Sequence, residues 1–259
     1  MKKTTHNSIK LWAVVVWLLV WQGGSMFLQS RLVHASLLLP SPLEALECLF
    51  QMARTTDFWR TIGWSTVRIF GGFLAATAAA SLLAVPAYRF RPVRELLAPL
   101  VACVKTIPVA SFIILALVWL KSSQLSFFIA FLMVFPPVYL GVLTGIGQTD
   151  PKLLEMAKVF QVPFLRQVRY LYLPALAPHF RSAVSVGLGL CWKSGIAAEV
   201  IGLPDGSMGE RLYMAKVYFL TPELFAWTAV IVAVSVFFER FFLFLVDKAL
   251  GKAGGGHAD

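Results

Sequence analysis

Four charged residues, Arg68, Lys105, Lys193 and Glu199, each interrupt an otherwise apolar stretch of the chain. At the centre of a bilayer such a charge costs about 2.5–3.5 kcal/mol on insertion scales, so each one needs a partner or water. Three cations and one acid could line a passage for an anionic solute. Alternatively, Arg68 and Lys193 reach the headgroups or pair with Glu199, while Lys105 faces cytoplasmic water. Lys193 and Glu199 are six apart and do not stack on one helix face, so any pairing would run between helices. Catalytic patterns are missing: there is no His-Glu-x-x-His, no acid pair deep in an apolar stretch and no glycine-rich Gly-Lys-Ser/Thr phosphate loop. Cys48, Cys103 and Cys191 form no CxxC pair, and His179 lacks metal-type neighbours. No catalytic residue, metal ligand or cofactor is expected.

The elements that carry these charges are set by composition. The 259 residues are 58% apolar and only 14% charged, against about a quarter charged in a soluble domain. Their mean hydropathy is +0.75. That excludes a single soluble domain and the disordered, collagen-like and coiled-coil classes. A bilayer core of about 30 Å needs roughly 20 apolar residues per helix. Six stretches qualify, at about 11–30, 61–87, 95–120, 124–147, 174–201 and 224–247. The expected fold is all-α, a polytopic bundle of six transmembrane helices. The first stretch resembles a secretory signal, but no small-x-small cleavage site follows and apolar character resumes at Met26-Phe27-Leu28, so a retained helix is expected.

Lysine and arginine set the orientation. Fourteen of the 23 fall on the N-terminal side of the membrane, counting Arg181 and Arg240 in the parts of their spans that lead to it; six fall on the opposite side, and Arg68, Lys105 and Lys193 remain inside spans. Both termini are therefore expected in the cytoplasm. The net charge of +10 follows from this topology and from anionic lipid, so nucleic acid is unnecessary as a partner. The domain organisation expected is a cytoplasmic N-terminus at 1–10, one membrane domain at 11–247 and a disordered cytoplasmic tail at 248–259.

Two segments outside the spans have helical signatures. On the outer side, Ser41 as N-cap and Pro42 at N1 open a short helix with Leu43, Leu46 and Phe50 on one face, expected to pack over the bundle. On the cytoplasmic side, 147–173 is too long for a simple connector. Asp150-Pro151 starts a helix there, with Leu153, Leu154, Ala157 and Phe160 on one face. Gln161-Val162-Pro163 breaks it, and a second short helix is expected over about 164–172, ending before Pro174. Two short amphipathic helices across the membrane surface make a platform for something in the cytoplasm. A second outer loop, 203–221, carries the turn formers Pro204-Asp205-Gly206 and Gly209. Pro108 and Pro136-Pro137 should kink their spans, and Gly141-x3-Gly145 should permit tight helix packing.

In the cytoplasmic segment the chain resembles the inner-membrane permease subunits of ABC importers. Their signature loop reads Glu-Ala-Ala-x3-Gly-x9-Ile-x-Leu-Pro. Glu155, Ala157, Leu173 and Pro174 fall on it at full spacing, with Met156 for the first alanine and Leu171 for isoleucine. Gln161 stands where the family has glycine, a residue free to take φ > 0 between the two short helices. Leu39-Pro40-Ser41-Pro42, Ser65-x2-Arg68-x3-Gly72, Phe135-Pro136 and Ala198-Glu199-Val200-Ile201-Gly202 resemble the aliphatic-sulfonate, taurine and nitrate branch.

The resemblance implies a permease that pairs with a second copy, usually identical, and with two cytoplasmic ATPase subunits that bind the ATP. An extracytoplasmic binding protein delivers solute, and the assembly sits in the plasma membrane. Glu155, Ala157, Gln161, Leu173 and Pro174 would then form the coupling loop that meets the ATPase. Glu155 would anchor it by a charged hydrogen bond and Ala157 would allow close approach. The implied cargo is a small anion, with a vitamin precursor as the alternative. A secondary transporter would usually show repeats and interrupted helices, and neither is legible here.

Overall fold

The computed structural model describes residues 11–31 and 38–254, and among these every regular element is helical. In chain order they are α1 (Leu11–Arg31), α2 (Pro42–Ala53), α3 (Thr56–Arg89), α4 (Arg91–Thr106), α5 (Val109–Ala116), α6 (Ser122–Gly147) and α7 (Pro151–Val159). After these come α8 (Phe164–Gln167), a π-helical turn (Val168–Tyr172), α9 (Leu173–Gly202), α10 (Met208–Val217) and α11 (Thr221–Gly254). Among the described residues, four helical runs are long and apolar enough to cross a membrane: Thr56–Arg89, Ser122–Gly147, Phe164–Gly202 and Thr221–Ala249.

The expected third span differs. It is broken at Ile107-Pro108 into α4 and α5, which meet at 107°. Proline removes a helix N–H and forces its predecessor to extended backbone, and Ile107 sits at φ −76, ψ 133. Pro136 and Pro137 lie within the one continuous helix α6. The expected first span corresponds to a shorter apolar stretch, Trp12–Leu28. The sixth span runs on as helix to Gly254, past the expected start of the tail. The expected N-terminal segment 1–10 and the tail from 255 lie outside the described residues.

Contacts divide the chain into two units, Met1–Arg60 with Arg211–Val230, and Thr61–Glu210 with Ile231–Asp259. In the first, α1 is tied to the start of α2: the Trp21 indole N–H donates to the Pro40 carbonyl (3.0 Å) and the Ser25 hydroxyl to that of Leu39 (3.0 Å). The expected helix start at Ser41 carries a full capping box: Ser41 Oγ accepts from the Glu44 N–H, and Glu44 Oε2 from the Ser41 N–H. Its apolar stripe does not pack as expected. Leu43 and Phe50 are 68% and 69% exposed, because the small Pro42 and Ala45 take the inward side.

In the second unit, α6 and α9 pack along one another. Their approach depends on glycine: a Cβ on Gly141 would lie 2.5 Å from that of Ala183, and one on Gly145 would lie 2.6 Å from Leu176. Val104, Ile113, Leu125, Ile129 and Ala198 join α4, α5, α6 and α9 in one core cluster. Phe70, Phe73, Trp192, Phe238 and Phe242 join α3, α9 and α11 through ring contacts of 5.0–5.6 Å.

Candidate functional site

The segment after α6 forms as its end signals dictate. Asp150 caps α7 by accepting from the Lys152 N–H (2.9 Å). At the other end the Gln161 N–H donates to the Lys158 carbonyl (3.2 Å) and the Val162 N–H to that of Ala157 (2.9 Å). That double closure requires a left-handed residue between the two donors. Gln161 supplies it at φ +51. The glycine-like turn is therefore present despite the side chain. The Gln167 amide then donates to the Val162 carbonyl (2.7 Å), bracing the entry to α8.

Beyond the turn the structure departs from expectation. No separate surface helix ends before Pro174. Instead α8, the π-turn and α9 make one helical run, Phe164–Gly202. The Leu173 N–H donates five residues back, to the Val168 carbonyl. A proline entering a regular helix would lose one bond and press its ring on the carbonyl four residues earlier. The widened π-turn just before Pro174 relieves both.

The expected inward face of α7 is also narrower. Ala157 is buried and Leu154 half-buried, but Leu153 is exposed and Phe160 is 72% exposed. Phe160 is the C-cap, so it has left the helical stripe. Val159, Phe160, Phe164 and Leu165 thus form an open apolar surface around the turn, each at least 70% exposed. Glu155 points to solvent on the same short helix. Leu173 is half-buried, lining an apolar groove of about 420 Å³ with Tyr88, Ile146 and Leu176. Pro174 is exposed.

The four charges within the apolar stretches separate into two environments. Lys105, in the last turn of α4, and Lys193, on α9, are exposed. Lys193 shares an open stripe of α9 with Val186 and Leu190. Glu199 is wholly enclosed, at 0% exposure. Its Oε2 accepts from the Ser65 hydroxyl (2.8 Å) and from the Gly209 N–H (3.2 Å). Ser65 Oγ in turn accepts from the Met208 N–H (2.9 Å).

Arg68 lies one turn beyond Ser65 on α3. It is half-buried, and its guanidinium stands 5.9 Å from the centre of the Trp64 ring. It forms no ion pair with Glu199, and its Nη1 is buried without a hydrogen-bond partner. Ser126 is beside the same carboxylate, yet its hydroxyl and Glu199 Oε1 have no hydrogen-bond partner of acceptable geometry. Glu199 therefore presents no exposed surface in this chain.

Ser65 was expected only as a landmark of the family pattern. Its spacing carried a usable signal: Ser65, Arg68 and Gly72 fall at i, i+3 and i+7, on one helical face. Ser65 turns that face to Glu199, while a Cβ on Gly72 would collide with the Phe127 carbonyl oxygen of α6.

Residues 58–252 match the family of binding-protein-dependent transport system inner membrane components. The taurine transport system permease protein TauC of Escherichia coli is 26% identical over 213 residues, 78% of this chain and 76% of TauC. The bicarbonate transport system permease protein CmpB of Synechococcus elongatus is 23% identical over 254 residues, covering 92% and 87%. The riboflavin transport system permease protein RibX of Chloroflexus aurantiacus is 24% identical over 220 residues, covering 85% and 80%. With three quarters of its length inside the family pattern and several membrane-length helices, the chain belongs to the binding-protein-dependent transport system inner membrane components, as a multi-pass permease of the cell membrane.

Proposed function

We propose that this chain is the permease half of an ATP-driven importer that moves a small anion of the sulfonate, taurine or nitrate type by alternating access. The observation that carries the reading is the open apolar surface of Val159, Phe160, Phe164 and Leu165 at the foot of the continuous run Phe164–Gly202. A helix that starts at such a surface and crosses the membrane converts movement at one face into movement at the other.

Two cytoplasmic ATPase subunits bind the ATP and dock on the coupling loop, where Glu155, Ala157, Gln161, Leu173 and Pro174 act. A second permease copy completes the pathway, and a binding protein delivers solute from outside. The membrane domain spans 11–247 with the coupling loop at 147–173 and both termini cytoplasmic. Its six spans are the four long runs, the broken α4–α5 pair and α1. Lys105 and Lys193 favour an anionic cargo along the path, and Arg68 sets the potential behind it. The riboflavin system among the relatives supports a vitamin-type organic solute as the second reading.

The test is ATPase activity of the co-purified complex, wild type against Glu155→Ala, with taurine, bicarbonate or riboflavin presented by the matching binding protein. Stimulation of wild type by one solute, lost in the variant, is the expected result. A chain that co-purifies with no ATPase and transports on an ion gradient overturns the proposal.

A further inference from the structure

We propose that Glu199 is a positioning residue, the latch by which the outer end of α9 holds the turn 203–210 and carries the movement of α9 into it. The inference rests on the transport reading above and adds a residue to its outer side.

The latch is built from directed bonds. The Met208 N–H donates to Ser65 Oγ, whose own hydrogen goes to Glu199 Oε2, and the same oxygen accepts from the Gly209 N–H. Met208 and Gly209 open α10, so these two N–H groups would otherwise lack partners within that helix. The carboxylate also sits at the positive end of the helix dipole. Ser65, Glu199, Met208 and Gly209 are all buried, so water cannot replace a bond that is lost.

Backbone geometry leaves the turn little freedom. Leu203 closes α9 in the left-handed conformation at φ +47, with its N–H on the Glu199 carbonyl (2.9 Å). A Cβ on Gly209 would stand 2.7 Å from both the Glu199 carbonyl carbon and the Val200 nitrogen. Ser207 Oγ accepts from the Glu210 N–H (3.1 Å), and Glu210 Oε2 accepts from the Gly206 N–H (2.5 Å). The turn is thus internally rigid and rests directly on α9. Because Phe164–Gly202 is one run, a displacement starting at the coupling loop reaches Glu199 along a single helix.

The experiment is amide hydrogen exchange on the full complex, nucleotide-free and trapped with ATP and vanadate, in wild type, Glu199→Ala, Glu199→Gln and Ser65→Ala. In wild type, trapping should change exchange in both 153–165 and 203–210. Glu199→Ala should speed exchange at Gly209 by about ten-fold or more, since that buried N–H loses its acceptor, and less at Met208, whose acceptor Ser65 Oγ stays but loses its own anchor. It should also abolish the response of 203–210 to trapping while 153–165 still responds. Glu199→Gln keeps an oxygen for both donors and should stay within about three-fold of wild type with its response intact. A merely structural role would not separate the two segments in this way.

If Glu199→Ala yields no complex, Ser65→Ala tests the other arm. It removes the acceptor for Met208, so exchange there should rise by about ten-fold or more. The response of 203–210 to trapping should weaken, while the Gly209 bond to Glu199 remains. The proposal is overturned if 203–210 of wild type ignores trapping while 153–165 responds, or if Glu199→Ala leaves the outer response in place. Failure of 153–165 itself to respond in wild type overturns the transport reading, and this proposal with it.

Discussion

Replacing Gln161 with glycine should tighten the turn after α7, and replacing it with valine should loosen it. Gln161 holds φ +51, a conformation that costs an L-residue with a Cβ roughly 1–2 kcal/mol. Glycine escapes that cost but gives back roughly 0.5–1 kcal/mol through its larger freedom in the open state. The net gain for Gln161→Gly is therefore about 0.5–1 kcal/mol, or a local opening about 2–5-fold rarer. Valine is branched at Cβ and a real outlier at positive φ, so Gln161→Val should open the turn about 5-fold more often or beyond. The assay is amide exchange at Gln161 and Val162, whose N–H groups close the turn on Lys158 and Ala157. The Gln161 side chain is exposed, so neither substitution disturbs packing. Exchange unchanged by glycine and by valine would refute a left-handed turn at this position.

Other sites give sharp contrasts. Gly209→Ala should lower stability by about 1–3 kcal/mol, read as a fall in Tm, because its Cβ meets backbone that cannot step aside. Gly189→Ala is the control: nothing lies within 4 Å of its Cβ, so Tm should not fall and should rise slightly, since alanine gains about 0.5–1 kcal/mol over glycine inside a helix. Asp247→Asn removes the partner of Arg181 at 2.5 Å, but both side chains are about half exposed, and the loss should stay under about 1 kcal/mol in the same melt. Lys193→Gln should raise the KM for anion uptake by about 5-fold and weaken its salt dependence, as loss of one steering charge does. Unaltered KM in vesicle uptake would remove Lys193 from the path.

Much of the segment 147–173 was legible in the sequence. Asp150-Pro151 and Ser41-Pro42 announce helix starts because an N-cap acts within its own turn, and both helices begin there. The Glu155-to-Pro174 spacing located the loop and its family. The turn at Gln161 was harder, since identity at one position argued for glycine while the hydrogen bonds on both sides imposed its conformation. The π-turn before Pro174 was not visible either. Proline signals a break, but a neighbouring turn that widens by one residue is set by the helix on each side. Leu43 and Phe50 share a stripe by periodicity, yet periodicity does not say which side of the helix meets the protein.

Hydropathy, capping and loop spacing are properties of short contiguous segments, so the membrane class, the approximate spans and the family could be read along the chain. The surroundings of the charges, by contrast, follow from how the helices pack. Four of them looked alike along the chain, but two are exposed, one stands half-buried near Trp64, and Glu199 is enclosed with Ser65, a residue 134 positions away. A buried carboxylate is tolerable only where donors converge on it. That convergence depends on how α3, α9 and the start of α10 pack, which no local pattern records.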